Sequence, residues 1–347
     1  MAPLHVYAIV HTLEAMVFDA VGVDGRDFAR TIPHGDLAAV VSAGALDDYS
    51  GLSREQIVRH LLSHQRVVES VMKKTAVLPV KFGTVLTDEA HVRLLLDQGD
   101  ELFRSELDRL GGRSQMEVVV FWNPQDVFQE IAEEEAIVKL KAESASHTPE
   151  RAMADRIAVG RIVQESLKRR RTDLTNSIVP YLAESAPDIV VNQPMDDSMV
   201  ANVALLVDES GRSQLDRRLE LLDGRFEGRL NFKCVGPLPP YSFATVEVET
   251  LTFDAVDSAR RRLELAESAS LEDIKHAYRR LASRFHPDLN GLDPNAESRM
   301  SDLTKAYKLL AAYAQSRAAD GVHTCSFERP EVDGALLISM RRQDSQE

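Results

Sequence analysis

The sequence predicts an α+β protein with two ferredoxin-like α/β sandwich units, joined by long helices and followed by an antiparallel helical module. Three observations favour this fold class. Short β-branched runs alternate with amphipathic helices over the first 250 residues, a pattern typical of helices on one face of antiparallel sheets. A charged helical region from about residue 125 to 182 separates two sets of strands. Two further amphipathic helices, joined by a short loop, lie beyond residue 255.

Four regions follow from this pattern. We expect a ferredoxin-like domain at 1–122, a helical linker with a second ferredoxin-like domain at 123–250, a helical module at 255–315 and a tail with a β-hairpin at 316–347. A chain of 347 residues is long enough to give each of two or three domains its own core.

Composition and charge limit the classes of function. A net charge of -14 argues against a general nucleic-acid binder, although a local basic patch could still exist. Cys234 and Cys325 are far apart in sequence and form no metal-type pair, so we expect reduced thiols in a cytosol. The N-terminus lacks a basic region followed by a long apolar run, and no apolar stretch is long enough to span a bilayer. We therefore expect neither a signal peptide nor a membrane partner.

The first region begins with predicted strands at 4–10, 28–31 and 37–42, the last two joined by a turn at 33–36. A long helix follows, started by a capping box of Ser53 and Gln56. Its apolar face, at helical spacing, is expected to be Ile57, Val58, Leu61, Leu62, Val68, Val71 and Met72.

An apolar strand and turn at 76–86 comes after this helix. Pro79 cannot donate to a ladder, which indicates a strand start or an edge strand, and Gly83 indicates a bulge or a close backbone approach. Thr87 is predicted to cap a helix over about 88–110, and a strand at 116–122 is predicted to close the unit. From the residues alone, the stretch could equally be an ordinary strand leading into an ordinary helix.

The second region opens with helical sequence at about 125–145 and a longer helix, capped by Thr148, from Pro149 to about Leu182. The basic run at 168–171 could be a nucleic-acid patch, but we favour a solvated helix face because the chain is acidic.

The rest of this region reads as a second ferredoxin-like unit. Prolines 237, 239 and 240 predict a rigid, extended crossing between its last two strands. The predicted elements are strands near 189–192 and 202–207, a helix at 215–222, and strands at 230–235 and 243–248.

Two amphipathic helices are predicted past residue 255. Ser270 caps the first, which ends at about residue 285 because a residue before proline avoids the helical region. One face of it is apolar and the opposite face is basic: Leu271, Ile274, Tyr278, Leu281 and Phe285 against Lys275, His276, Arg279, Arg280 and Arg284. The second helix faces back with Met300, Leu303, Tyr307 and Leu310. Strands at 324–327 and 335–340 form the predicted hairpin, which we expect to pack on another part of the chain.

Two separated motifs, at 78–85 and 236–243, resemble those of the GvpL/GvpF family of gas vesicle proteins. With the opening strand at 6–10, the resemblance covers about the first 250 residues. It implies a cytoplasmic or vesicle-associated protein that binds the very hydrophobic gas vesicle shell protein or accessory Gvp proteins. The motif positions are Leu78, Pro79, Phe82, Gly83, Gly236, Pro237, Pro240 and Tyr241.

The stretch after residue 255 resembles a J-domain, the module by which DnaJ-type co-chaperones stimulate DnaK-type chaperones. A J-domain usually begins with a helix that carries aromatic residues and a glycine near its end. Here the helix at 256–265 has no aromatic residue, and Glu264 stands where the glycine would be. The resemblance implies six chaperone-binding residues: His286, Pro287, Asp288, Lys275, Arg279 and Arg280.

No catalytic or cofactor-binding motif is visible in the sequence. His60 and His64 lack a third metal ligand, so a solvated helix face is the simpler interpretation. We therefore expect a non-enzymatic gas vesicle assembly factor without metal or cofactor, whose J-like module recruits a DnaK-type chaperone. Two alternatives stay open: a general J-domain co-chaperone, and a minor structural component of the finished gas vesicle.

Overall fold

The computed structural model describes residues 3–44, 51–144, 149–285, 296–319, 321 and 323–343. The chain forms two compact units. The first comprises Met1–Ser70, Val80–Arg104 and Val246–Arg341, and the second comprises Val71–Pro79, Ser105–Thr245 and Arg342–Glu347. The predicted α+β class with antiparallel sheets is confirmed. None of the described helices has the length and apolar composition that a bilayer crossing needs.

The sheet of the first unit contains β1 (Leu4–His11), β2 (Val17–Val21), β3 (Phe28–His34) and β4 (Leu37–Ala43). These strands are antiparallel in the order β2-β3-β4-β1, and β3 and β4 form the predicted hairpin. β1 and β4 are apolar and almost fully buried, as expected for central strands. β2 is not predicted from the sequence, because it is short and mostly exposed.

Helices and two short strands continue the chain: α1 (Arg54–Met72), β5 (Leu78–Pro79), β6 (Val85–Leu86), α2 (Glu89–Gln98) and α3 (Asp100–Leu110). The predicted capping box is confirmed, because Ser53 and Gln56 exchange hydrogen bonds of 2.9 and 3.3 Å. The predicted apolar face of α1 is wrong at its N-terminal end. That end exposes Val58, Leu61 and Leu62. The predicted Val68 and Val71 are buried, and His64 and Val67 are buried with them.

The region predicted as one helix over 88–110 is two helices, separated at Gly99. A Cβ atom at Gly99 would lie 2.2 Å from the ring of Phe103, so only glycine allows this approach. Asp88, not Thr87, caps α2, because its carboxylate accepts a 3.0 Å hydrogen bond from the His91 N–H. Both residue types are good caps, so the sequence could not separate them.

The second unit contains β7 (Ser114–Trp122), α4 (Pro124–Ala132), α5 (Glu135–Ser144), α6 (Pro149–Ala183), β8 (Asp188–Asn192), β9 (Met199–Val207), α7 (Glu209–Phe226) and β10 (Leu230–Leu238). Its strands form an antiparallel sheet in the order β10-β7-β9-β8, which is the ferredoxin-like arrangement. The prediction that the strand near 116–122 closes the first unit is wrong, since β7 pairs with β9 and β10.

The core of this unit lies between the sheet and its helices, and includes Trp122, Ile178, Leu205 and Leu222. The predicted cap Thr148 lies outside the described residues, and α6 ends at Ala183, close to the predicted end.

The basic run at 168–171 is not simply a solvated face. Arg170 pairs with Glu130 and Glu134, and Arg171 lies 5.6 Å over the ring of Trp122. Their side chains are only 28% and 23% exposed, so these cations are committed to contacts within the unit.

The remaining elements belong almost wholly to the first unit: β11 (Thr245–Thr250), α8 (Phe253–Arg262), β12 (Ser268–Ser270), α9 (Leu271–Phe285), α10 (Ala296–Ala319), β13 (Thr324–Ser326), α11 (Arg329–Val332) and β14 (Leu336–Arg341). The predicted C-terminal hairpin is wrong. β13 pairs with β12, and β14 pairs with β11. The expectation that these strands pack on other parts of the chain is therefore confirmed.

One hydrophobic core joins the helices to the segment that follows them. It includes Ile274, Leu281, Leu303 and Leu310 from α9 and α10, and it extends to Cys325, Phe327 and Val332. The tail predicted at 316–347 thus contributes to this core as far as Val332, and Ala335 and Leu337 pack against it.

Candidate functional site

Residues 80–84 of the first motif lie against β1. Val80 donates a 2.9 Å backbone hydrogen bond to the Tyr7 carbonyl, and Val6 donates one of 2.9 Å to the Thr84 carbonyl. In between, the Thr84 hydroxyl donates a 2.8 Å hydrogen bond to the Lys81 carbonyl, which closes a tight turn. Gly83 has a φ of 88° in this turn, a conformation that residues with a side chain rarely adopt.

Two histidines are buried next to this turn. His5 Nε2 and His64 Nδ1 are 3.0 Å apart, and the ring of Phe82 lies 6.0 Å from His5 and 5.5 Å from His64. Burial lowers the pKa of His5 to about 3 and that of His64 to about 4, so both rings are neutral at pH 7. The interpretation of His64 as part of a solvated helix face is wrong. The described residues contain no group of three or more metal-ligating side chains placed to hold an ion.

The second motif packs inside the second unit. A Cβ atom at Gly236 would lie 2.5 Å from the Met116 sulfur, so the strand β10 can pass β7 here only with glycine. The Ser242 N–H donates a 3.0 Å hydrogen bond to Gln115 Oε1. The extended crossing predicted from the prolines is confirmed only as far as Leu238, where β10 ends. The Phe243 N–H then donates a 3.0 Å hydrogen bond to the Pro240 carbonyl, so the chain turns instead.

β11 lies beside the first motif and continues along the chain to the C-terminal helices. The Val246 carbonyl of β11 accepts a 2.8 Å hydrogen bond from the Lys81 N–H. The Glu247 carboxylate lies 3.2 Å from Lys81 Nζ and 3.5 Å from Arg341 Nε. Backbone pairing and a shared carboxylate thus join the motif to β11 and β14.

The helical module has the predicted two-faced α9. Ile274, Ala277 and Leu281 are buried, and Tyr278 stacks on Tyr307 of α10 with ring centroids 4.3 Å apart. Ser270 caps the helix as predicted, since its hydroxyl accepts a 3.2 Å hydrogen bond from the Asp273 N–H.

The basic face of α9 is exposed but partly neutralised. Lys275 pairs with Glu272 at 2.8 Å, and Arg280 pairs with Glu264 at 2.9 Å. Arg279 is exposed. His286, Pro287 and Asp288 lie outside the described residues.

Comparison with known proteins identifies both parts of the chain. Residues 3–245 match the family model described as "Gas vesicle synthesis protein GvpL/GvpF". The chain belongs to the GvpL/GvpF family. Residues 261–320 match the DnaJ domain, so this GvpL/GvpF member also carries a J-domain.

Individual relatives agree with the family assignment. The chain is 29% identical to Gas vesicle protein L of a Streptomyces species over 71% of this chain and 94% of that protein. It is 28% identical to Gas vesicle protein F of Microcystis aeruginosa over 56% of this chain and 82% of that protein. The crystal structure of GvpF from Anabaena has the same fold, with a TM-score of 0.59 at 23% identity over 70% of this chain and 98% of that chain.

Glu264, which stands where the J-domain pattern has a glycine, has a strained backbone conformation. α8 ends at Arg262, and Glu264 adopts the left-handed conformation with a φ of 56°. Glycine takes this conformation without strain, whereas for a residue with a Cβ atom it costs about 1–2 kcal/mol. The ion pair with Arg280 is exposed, so it offsets little of that cost.

We expect Glu264→Gly to raise the free energy of unfolding of the J-domain by about 1 kcal/mol, because it removes the strain at the end of α8. Glu264→Gln is the matched control, since it removes the charge but keeps the Cβ atom. Chemical denaturation followed by circular dichroism measures both. Equal stability of the two variants would contradict a cost that comes from the backbone.

Three features of the site are not evident from the sequence. His5 is one, because a histidine inside an apolar strand carries no signal of its partner. The Glu247 carboxylate is another, because its two cations come from residues 81 and 341. The third is the C-terminal limit of the helical module, which is predicted too early because short strands with separate partners look like a hairpin.

Proposed function

We propose that the chain is a non-enzymatic assembly factor of the cytoplasm and the growing gas vesicle, which needs no cofactor. Its GvpL/GvpF part binds the shell protein or accessory Gvp proteins, and its J-domain recruits a DnaK-type chaperone to the same client. The observation that carries the proposal is the connection: the strand that leads into the J-domain is hydrogen-bonded to the first family motif. A client and a chaperone would therefore be held at high effective concentration.

Exposed apolar side chains support binding of a hydrophobic client. Val58, Leu61 and Leu62 form an exposed stripe on α1, each about half accessible. Among the described strands, β2 lies at the edge of its sheet, and its residue Val17 is 64% exposed. Surfaces of this kind mark interaction sites in soluble proteins, and a sheet edge can accept a further strand.

Chaperone binding would use the six residues implied by the J-domain pattern. Lys275, Arg279 and Arg280 give α9 a cationic side that steers an acidic partner surface into place. The fixed φ of a proline such as Pro287 leaves less conformational freedom to lose on binding, and the Asp288 carboxylate can accept a bidentate hydrogen bond from a partner arginine.

Arg279→Ala is expected to reduce stimulation of a DnaK-type chaperone about 3- to 10-fold, because a central interface arginine commonly contributes about 1 kcal/mol or more. The readout is single-turnover ATP hydrolysis by the chaperone with the full chain added. Arg217→Ala, which removes an exposed arginine from α7, is the matched control and should behave as the unchanged chain. Equal stimulation by all three proteins would contradict this role of α9.

Client selectivity tests the family-specific part of the proposal. The full chain is co-expressed with a gas vesicle shell protein and, separately, with an unrelated hydrophobic client, and each is captured through a tag. We expect the shell protein to be enriched at least tenfold over the unrelated client. Equal capture of both would favour a general co-chaperone, and no capture of the shell protein would rule out direct binding.

A further inference from the structure

A pocket of about 240 Å³ lies in the second unit, lined by residues that belong to neither motif nor the J-domain. The lining residues come from the end of β7, from α4 and α6, and from the turn between α7 and β10. Its apolar lining consists of Trp122, Val127, Leu174, Phe226 and Leu230. Trp122 is almost fully buried, and its indole N–H is already used, since it donates to the Asp197 carbonyl. The ring therefore presents an apolar surface to the pocket.

The size of the pocket fits one large side chain. A cavity of about 150 Å³ lined by apolar residues holds a benzene molecule, and cofactor sites usually occupy about 300–1,000 Å³. The pocket is thus large enough for a phenylalanine, leucine or methionine side chain and small for a cofactor. Pockets that take one apolar anchor, surrounded by polar residues, are typical centres of protein interfaces.

The charged residues at the pocket favour one sign of charge next to the bound apolar side chain. Arg170 is shared between Glu130, which lines the pocket, and Glu134, which does not. Of the other charged lining residues, Asp126, Asp173 and Arg229 have no ion-pair partner among the described residues. Within the described part of the chain, two exposed carboxylates thus stand against one exposed guanidinium, which leaves an excess of negative charge at the pocket. A cation beside the apolar group would be attracted, and an anion would be repelled.

We propose that this pocket binds a large apolar side chain of a partner protein that carries basic residues next to it. The pocket is then a third recognition site, in addition to the exposed stripe on α1 and the basic face of α9. Its chemistry does not depend on the J-domain or on chaperone recruitment.

The single tryptophan of the chain makes the pocket directly observable. We would titrate the full chain with three peptides, acetyl-Lys-Phe-Lys-amide, acetyl-Lys-Ala-Lys-amide and acetyl-Glu-Phe-Glu-amide, and follow Trp122 fluorescence. We expect saturable binding of the first peptide in the millimolar range. Binding should be at least tenfold weaker without the phenylalanine ring and at least threefold weaker with glutamates in place of lysines.

Two variants separate the pocket from other surfaces. Val127→Phe fills the pocket and should abolish the response, whereas Phe128→Ala changes the neighbouring residue of α4, which is exposed and does not line it. The double change Asp126→Asn and Asp173→Asn should remove the preference for lysine over glutamate but keep the preference for phenylalanine over alanine. The proposal is overturned if Phe and Ala peptides bind equally, if Val127→Phe responds as the unchanged chain does, or if no peptide binds.

Discussion

Phe327→Ala is expected to lower the free energy of unfolding of the J-domain by about 3–5 kcal/mol, which is the usual cost of removing a buried phenylalanine ring. Phe327 is 2% exposed and lies 6.1 Å from the ring of Tyr313 in the core that α9 and α10 share. The Tyr313 hydroxyl also donates a 2.9 Å hydrogen bond to the Ser326 carbonyl. The residue lies beyond the stretch 261–320 that matches the DnaJ domain. A large loss would therefore mean that this J-domain depends on a C-terminal segment that the domain pattern does not include.

Thermal and chemical denaturation of the full chain, with hydrogen exchange to locate the change in α8–α10, would measure this loss. Phe28→Ala is the matched control, because Phe28 is 51% exposed on β3 and should cost less than about 1 kcal/mol. If Phe327→Ala were no more destabilising than Phe28→Ala, the C-terminal segment would not be part of the J-domain core.

Mild acid is expected to destabilise the first unit through its buried histidine pair. The ordinary pKa of a histidine side chain is 6.5, and burial lowers the folded values to about 3 for His5 and about 4 for His64. Below pH 6.5 the unfolded chain binds protons at both rings and the folded chain does not, so stability is retained above this pH and falls as the pH drops below it. At pH 5 the expected loss is about 2 kcal/mol for each ring and about 4 kcal/mol for the pair.

The measurement is the difference in unfolding free energy between pH 7 and pH 5, from urea denaturation followed by circular dichroism. His64→Asn keeps a polar group beside His5 and should reduce the loss by about half. His276→Gln, on the exposed face of α9, should leave the loss unchanged. A His64→Asn variant with the full pH dependence of the unchanged chain would show that the acid response comes from elsewhere.

The positions of most strands and helices can be predicted from the sequence, but the partners of the strands cannot. The sequence identifies both β7 and β11 as strands, yet it assigns each to the wrong sheet. β7 is apolar along most of its length and could pack in either sheet, so periodicity carries no information about its neighbours. β11 follows a turn in which the Phe243 and Ala244 N–H groups donate hydrogen bonds to the Pro240 carbonyl. The direction in which the chain leaves this turn decides the sheet that β11 joins, and the residue pattern of the strand does not show it.

Features within one helix or turn are easier to predict than contacts between distant residues. The capping box of Ser53 and the cap of Ser270 depend on residues three positions apart, and both are present. His5 and His64 are 59 residues apart, and burial of His64 reverses the expectation for an exposed helix face. Glu264 lies between these two cases. The glycine of the J-domain pattern points to this position in the sequence, but only the backbone φ of 56° explains why glycine is usual there.

The most direct test of the account is the recovery of a DnaK-type chaperone together with the shell protein. A tagged shell protein is captured in the presence of ATP, the chaperone and the full chain, or the chain with Asp288→Asn or Arg217→Ala. We predict that the chaperone is recovered with the unchanged chain and with Arg217→Ala. With Asp288→Asn it should be lost, although the chain itself stays bound to the shell protein. Equal recovery of the chaperone with Asp288→Asn, or failure of the shell protein to retain the chain at all, would contradict a single protein that links client and chaperone.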